Sequence, residues 1–129
     1  MSLLLDTNRL TDALRPDPAI TSLVQEADAV FVPFVALGEI QAGFDRGDPR
    51  HRAQNEARLV VFLKMPQVTC LYADRETTRI YARLFAQLRR AGTPVPTNGL
   101  WIASLAIQHQ LTLATRDGHF EKTPQVARV

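Results

Sequence analysis

The sequence predicts an α/β protein with a parallel sheet covered on both faces. Three observations carry this. Short apolar runs recur along the chain: Leu3-Leu4-Leu5, Val30-Phe31-Val32, residues 68–71 and residues 111–114. Such unalternating runs suit strands buried on both sides. Between them lie longer segments with apolar residues at helical spacing, and short Pro/Gly/Asp-rich spots punctuate the joints.

Leu3-Leu4-Leu5 reads as the first strand. A helix over residues 7–15 follows, stopped by Pro16, and a second helix fits residues 19–27. Val30-Phe31-Val32 is the second strand. The third helix spans 35–46, with Gly47 as its C-terminal cap. Pro49 suits the first turn of a fourth helix that reaches Lys64, ahead of Pro66. Residues 68–71 form the third strand. The fifth helix is bounded by Asp74 as N-cap and Gly92 as C-cap. Its apolar stripe is Ile80, Tyr81, Leu84, Phe85 and Leu88, and Arg79, Arg83, Arg89 and Arg90 line much of the rest as a solvated face. The Phe85/Leu88 stripe fits core or dimer packing equally. The sixth helix, 100–109, is apolar nearly all round and therefore central, with Trp101 in its core. Residues 111–114 form the fourth strand, and a last short strand is expected near 126–129.

The 129 residues make one domain, with 46% hydrophobic and 22% charged residues. One cysteine, Cys70, cannot pair internally, so a reducing cytoplasm is the expected setting. Its apolar neighbours predict a buried, inert thiol. The start Met1-Ser2-Leu3-Leu4-Leu5-Asp6 lacks the basic and long apolar regions of a signal peptide. No apolar stretch is long enough to span a bilayer. A net charge of +2 permits a nucleic-acid partner without requiring one. No Gly-rich phosphate loop is present, which disfavours nucleotide-dependent functions. His109 and His119 have no His or Cys partner at zinc-type spacing.

In parallel α/β folds, sites gather at the carboxyl ends of strands. Asp6 directly follows the first strand, Glu39 lies one turn into the helix after the second, and Asp117 follows the fourth. Each has an ordinary structural role: Asp6 as a helix cap, Asp117 in an Asp-Gly turn, Glu39 on a solvated helix. Together they also fit a site for a hard divalent cation, which prefers oxygen ligands. Phosphodiester hydrolysis uses such an ion to neutralise phosphate and activate water.

These segments resemble the motifs of PIN-domain ribonucleases. Leu3-Leu4-Leu5-Asp6-Thr7-Asn8 resembles the opening strand and Asp-Thr-Asn signature. The stretch from Phe34 to Gly43 resembles the second acidic motif, with Glu39 in the metal position. Thr93 to Ala103 resembles the third motif, and Leu113 to Phe120 the fourth. Order, intervals and length match the toxins of VapBC-type toxin–antitoxin modules over nearly the whole chain. The resemblance implies a three-layer α/β/α sandwich with a central parallel sheet and an acidic pocket at one end. It implies Mg²⁺- or Mn²⁺-dependent endoribonuclease activity on RNA, a homodimer, and inhibition by a VapB-type antitoxin that inserts a segment into the groove. Asp6, Glu39 and Asp117 take the metal-binding and catalytic positions. Asn8 is expected to fix the Asp6 loop, and Thr115 to bond a carboxylate or water near the phosphate.

One position departs from the family pattern. Gly99 stands where the third motif normally carries a metal-binding Asp. Asn98 is adjacent, but one residue of shift turns a side chain by about 100° around a helix. The lost carboxylate is expected to weaken metal binding and activity. Gly99 fits either a change that permits a toxic nuclease to be produced or an inactive paralogue that only binds antitoxin or RNA. Thr97 reads as a helix cap. Arg116, beside Asp117, fits contact with RNA or antitoxin, or an ion pair with an acidic neighbour. An aspartyl-phosphate phosphatase ranks last, because Asp6-Thr7-Asn8 lacks the second carboxylate that chemistry needs.

Overall fold

The computed structural model describes residues 1–15 and 17–129. Pro16, the expected stop of the first helix, lies outside the described residues. The chain runs β1 (Ser2–Leu5), α1 (Thr7–Ala13), α2 (Pro18–Glu26), β2 (Ala29–Pro33), α3 (Phe34–Arg46), α4 (Pro49–Leu63), β3 (Val68–Leu71), α5 (Arg75–Ala91), α6 (Thr97–His109) and β4 (Thr112–Ala114). A 3-10 turn follows over Gly118–Lys122.

The strands pair in the order β3-β2-β1-β4, all parallel. β1 is central, with Leu3 level with Val30 and Thr112, and Leu4 level with Phe31 and Leu113. Successive side chains of a strand point to opposite faces, and that places both cores. Leu3 and Leu5 pack with Leu10, Ile20, Ala36, Ile40 and Phe62 of α1–α4. Leu4 faces the other way, onto Leu84 and Leu88 of α5 and Ile102, Leu105 and Ala106 of α6. All three leucines are fully buried, each stabilising the fold by roughly 1.5–3 kcal/mol. The result is the three-layer α/β/α sandwich.

Several helix ends follow local chemistry directly. Asp17, Asp48 and Asp74 accept backbone N–H bonds as N-caps of α2, α4 and α5, and Pro18 and Pro49 fill the first turns behind the first two. At Asp74 the cap is reciprocal: Thr77 Oγ1 accepts from Asp74 N at 2.9 Å while Asp74 Oδ1 accepts from Thr77 N at 3.1 Å. Gly92 closes α5 at φ 67°, a left-handed conformation that glycine adopts without a Cβ clash.

Gly47 holds the C-cap of α3 as expected, with an extended backbone at φ −78° and ψ −171° and its N–H on Gly43 O at 3.0 Å. The chain turns at once into Asp48-Pro49, where Asp48, the residue before the proline, is held extended. Four expectations need correction. α6 starts three residues early, at Thr97, because Pro96 pre-sets the entry and accepts from Leu100 N at 3.0 Å. Thr97 is thus the first helical residue, and Pro96 holds the cap position without a side-chain bond. The last strand reduces to one parallel bridge, Leu113 to Arg128, because a turn at Thr123 brings the chain in late. Cys70 is only half-buried, because β3 is an edge strand. Within the α5 stripe, Ile80, Leu84 and Leu88 are core, whereas Phe85 stays 48% exposed beside half-buried Tyr81. Arg79, Arg83, Arg89 and Arg90 are all exposed. Trp101 is half-buried against Phe34 and Tyr81.

Candidate active site

The strand order places the site. β1 and β4 are neighbours, yet the chain leaves β1 toward α1 on one face and enters β4 from α6 on the other. The carboxyl ends of these two strands therefore border a crevice. A pocket of about 230 Å³ opens there. Its walls include Asp6, Asn8, Glu39, Asn98, Gly99, Asp117 and His119. The three carboxylates expected to converge do line one pocket.

Asp6 forms the floor and is only 5% exposed. Its Oδ1 accepts from Arg9 N at 2.8 Å, capping α1, and its Oδ2 accepts from the Thr115 hydroxyl. The cap and the pocket wall are thus the same residue. Burial pushes the Asp6 carboxyl above its ordinary value, the two hydrogen bonds oppose that shift, and the Asp117 charge adds to it. Thr115 Oγ1 also accepts from Asp117 N at 2.9 Å. One hydroxyl therefore ties the β1 exit to the β4 exit.

Asp117 caps the 3-10 turn. Its Oδ1 accepts from His119 N at 2.9 Å and lies 2.7 Å from His119 Nδ1. The backbone bond holds its carboxyl below the usual range. Across the pocket, Glu39 Oε1 accepts from Asn98 Nδ2 at 2.6 Å, which bridges α3 to the first turn of α6. Gly99 is the next residue, at the third position of α6, and it leaves that part of the wall bare. A Cβ built at Gly99 would meet Val95 Cγ1 at 3.1 Å, a contact that requires Val95 to shift by a few tenths of an ångström.

The nearest arginines are turned to another acid. Arg116 Nη2 lies 2.7 Å from Asp12 Oδ2, and Arg9 Nη1 lies 3.3 Å from the same oxygen. Arg116, expected either on a ligand or on an acid, has the acid, and 57% of its side chain remains exposed. Among the described residues neither Asp6 nor Glu39 has an ion-pair partner, so the pocket keeps net negative charge. Oxygen donors of this kind suit a hard cation. Among the described residues, no three acidic, His or Cys side chains stand close enough to form a complete metal cage.

Sequence reasoning did not find three features: the Asn98–Glu39 bridge, His119 on Asp117, and Asp12 as the sink for Arg9 and Arg116. His119 had a local signal, since Asp117-Gly118-His119 fits a capping turn. The other two join segments tens of residues apart, and no spacing rule reaches them. Asn8 is exposed on the pocket rim, and among the described residues its side chain makes no hydrogen bond, so Arg9 N and Thr115 fix Asp6 in its place.

The fold and this acidic crevice define a small α/β domain of the nuclease type, and comparison with known proteins agrees. The PIN domain profile matches residues 3–126, and the chain belongs to the PIN-domain family. A plasmid stability protein, StbB, of Pseudomonas syringae pv. tomato is 32% identical, covering 92% of this chain and 91% of that one. Ribonuclease VapC5 of Mycobacterium tuberculosis is 30% identical, covering 94% and 80%. The crystal structure of VapBC2 from Rickettsia felis, bound to a DNA fragment from their promoter, contains a chain that matches all of this one and 98% of its own length. Its TM-score is 0.86 and its identity 25%. Among the described residues no helix is long and apolar enough to cross a membrane.

Proposed function

We propose that the chain is the toxin component of a type II toxin–antitoxin pair, with metal-dependent endoribonuclease chemistry that Gly99 impairs. The observation that carries this reading is the one pocket whose walls carry Asp6, Glu39 and Asp117, none of them paired with an arginine among the described residues. These three carboxylates would hold the ion, Mg²⁺ or Mn²⁺. A bound ion of this type neutralises phosphate charge and lowers the pKa of water. Thr115 holds Asp6 in place, and Asp117 holds His119 at the rim. A pocket carboxylate takes the proton of the attacking water as its oxygen bonds to phosphorus and the ester oxygen of the leaving nucleoside departs.

The VapC5 and VapBC2 likenesses support RNA as substrate and a VapB-type antitoxin as partner. A homodimer and a cytoplasmic setting complete the reading. The incomplete cage at Gly99 favours one second reading: an inactive PIN-fold module that only holds antitoxin or RNA.

Cleavage of an RNA pool with Mg²⁺ or Mn²⁺ separates the two, with this chain and Gly99→Asp compared side by side. The nuclease reading expects Gly99→Asp to cleave at least about 100-fold faster than this chain, and chelator to stop it. Two folded proteins that both leave every RNA intact would establish the binding module instead.

A further inference from the structure

A second cleft of about 310 Å³ adjoins the acidic pocket, and Thr7 and Glu39 line both. Three helix faces build it. α1 and its C-cap contribute Thr7, Thr11 and Leu14, at spacings of four and three that share one face. α3 contributes Glu39, Ile40, Gly43 and Phe44, and α4 contributes Asn55 and Arg58, again three apart. Arg15 closes the end beyond α1.

Its charge is opposite to that of its neighbour. Arg15 and Arg58 are exposed, and among the described residues neither has an ion-pair partner. Glu39, at the junction, is the one acid on the lining, and Asn98 engages it from the far side. Phe44 offers a half-buried ring and Asn55 an amide. At the junction itself, Thr7 Oγ1 is buried and has no hydrogen-bond partner among the described residues, a state that costs free energy unless a ligand meets it. A Cβ at Gly43 would meet nothing within 4 Å, so the helix surface there is bare and the cleft stays open.

We propose that this cleft is the subsite for the RNA nucleotide beside the scissile phosphodiester, with Arg15 and Arg58 taking its phosphate and Phe44 and Asn55 its base. An RNA strand carries a phosphate at every nucleotide. A strand with one phosphate at the acidic pocket must place the next within one nucleotide's reach, and the cleft that shares Thr7 and Glu39 with the pocket offers the cations there. Exposed guanidinium groups suit phosphate, and an aromatic face with an amide suits an unpaired base. The proposal rests on the RNA-cleaving reading of the acidic pocket.

The test measures binding, so it does not depend on a working metal site. Fluorescence anisotropy with a labelled single-stranded RNA oligonucleotide follows Kd against salt for four proteins. They are the unmodified chain, Arg15→Ala/Arg58→Ala, Gly43→Leu, and the control Arg79→Ala/Arg83→Ala on exposed α5. The cleft pair is expected to weaken binding about tenfold near 0.1 M salt. It should also flatten the slope of log K against log salt by about 0.7, the value for one phosphate contact on a single strand. Gly43→Leu fills the cleft without touching a charge and is expected to weaken binding with the slope kept. Replacing a helical glycine also protects against loss of fold.

RNA binding with an unchanged slope in the cleft pair, and unchanged affinity in Gly43→Leu, would overturn the subsite while leaving the RNA reading intact. Loss of antitoxin binding with RNA binding kept would make the cleft a protein site and overturn the proposal too. No RNA binding by the unmodified chain would overturn both the subsite and the reading beneath it.

Discussion

The two walls of the acidic pocket are built by opposite means. On the β1/β4 side, a buried carboxylate is held by a backbone N–H and a hydroxyl, and the same hydroxyl holds the next loop. On the α3/α6 side, an exposed Glu39 leans on an exposed Asn98, and Gly99 beside them has no side chain. The first wall is fixed before any ligand arrives. The second has side-chain freedom left to lose. Preorganised charge acts in proportion to how little must move, so the walls should respond differently to substitution.

The largest expected contrast concerns charge removal on the rigid wall. In a Gly99→Asp background, Asp6→Ala is expected to lower RNA cleavage by about three orders of magnitude, a size typical for a group that acts only in concert with others. Asn98→Ala on the looser wall should cost under about tenfold, because Glu39 can reach solvent and re-orient. Steady-state cleavage of one oligonucleotide by all three proteins measures both. Equal losses would abolish the distinction between the walls.

A smaller effect sharpens it. Thr115→Val keeps shape but removes the hydroxyl that lowers the Asp6 carboxyl and supports Asp117 N. Cation binding needs Asp6 ionised, and Asp117 is already ionised through that range because its carboxyl is held low. Asp6 therefore contributes to the acid limb of metal binding. Loss of the hydroxyl should move that limb to higher pH, which calorimetric titration of Mn²⁺ across pH 4–8 would show. A limb that stays in place would mean that Thr115 positions a loop without tuning the acid.

The rigid wall was also the more legible one. Asp6 follows an apolar strand directly and Asp117 follows one after Thr115-Arg116, so strand placement pointed both to the crevice. Glu39 was found by the same rule one turn further on. The early start of α6 was missed because Pro96 sets it without any Ser, Thr, Asn or Asp cap to mark it. Gly47 and Gly92 were both legible as helix caps, and only Gly92 closes its helix with a left-handed backbone. Arg116 pairs with Asp12, an acid more than a hundred residues away, and that choice exists only once β1 and β4 lie side by side.

The smallest effect concerns stability without metal. Burial raises the Asp6 carboxyl, so the folded state holds more protons there than the unfolded chain between pH 3.8 and the folded value. Stability falls as pH rises through that window, and the deficit persists at neutral pH. Asp6→Asn removes the buried charge yet keeps an N-cap of equal quality for Arg9 N. In chelator, Asn is expected to raise Tm by a few degrees at pH 7 and by little at pH 3.5, below both values. With saturating Mn²⁺ and Gly99→Asp present, the order should reverse, since a cation that binds only the folded state stabilises it and needs the carboxylate. An equal change in Tm at both pH values would show that Asp6 acts on stability only as a cap, and that the cost of its burial is met elsewhere in the wall.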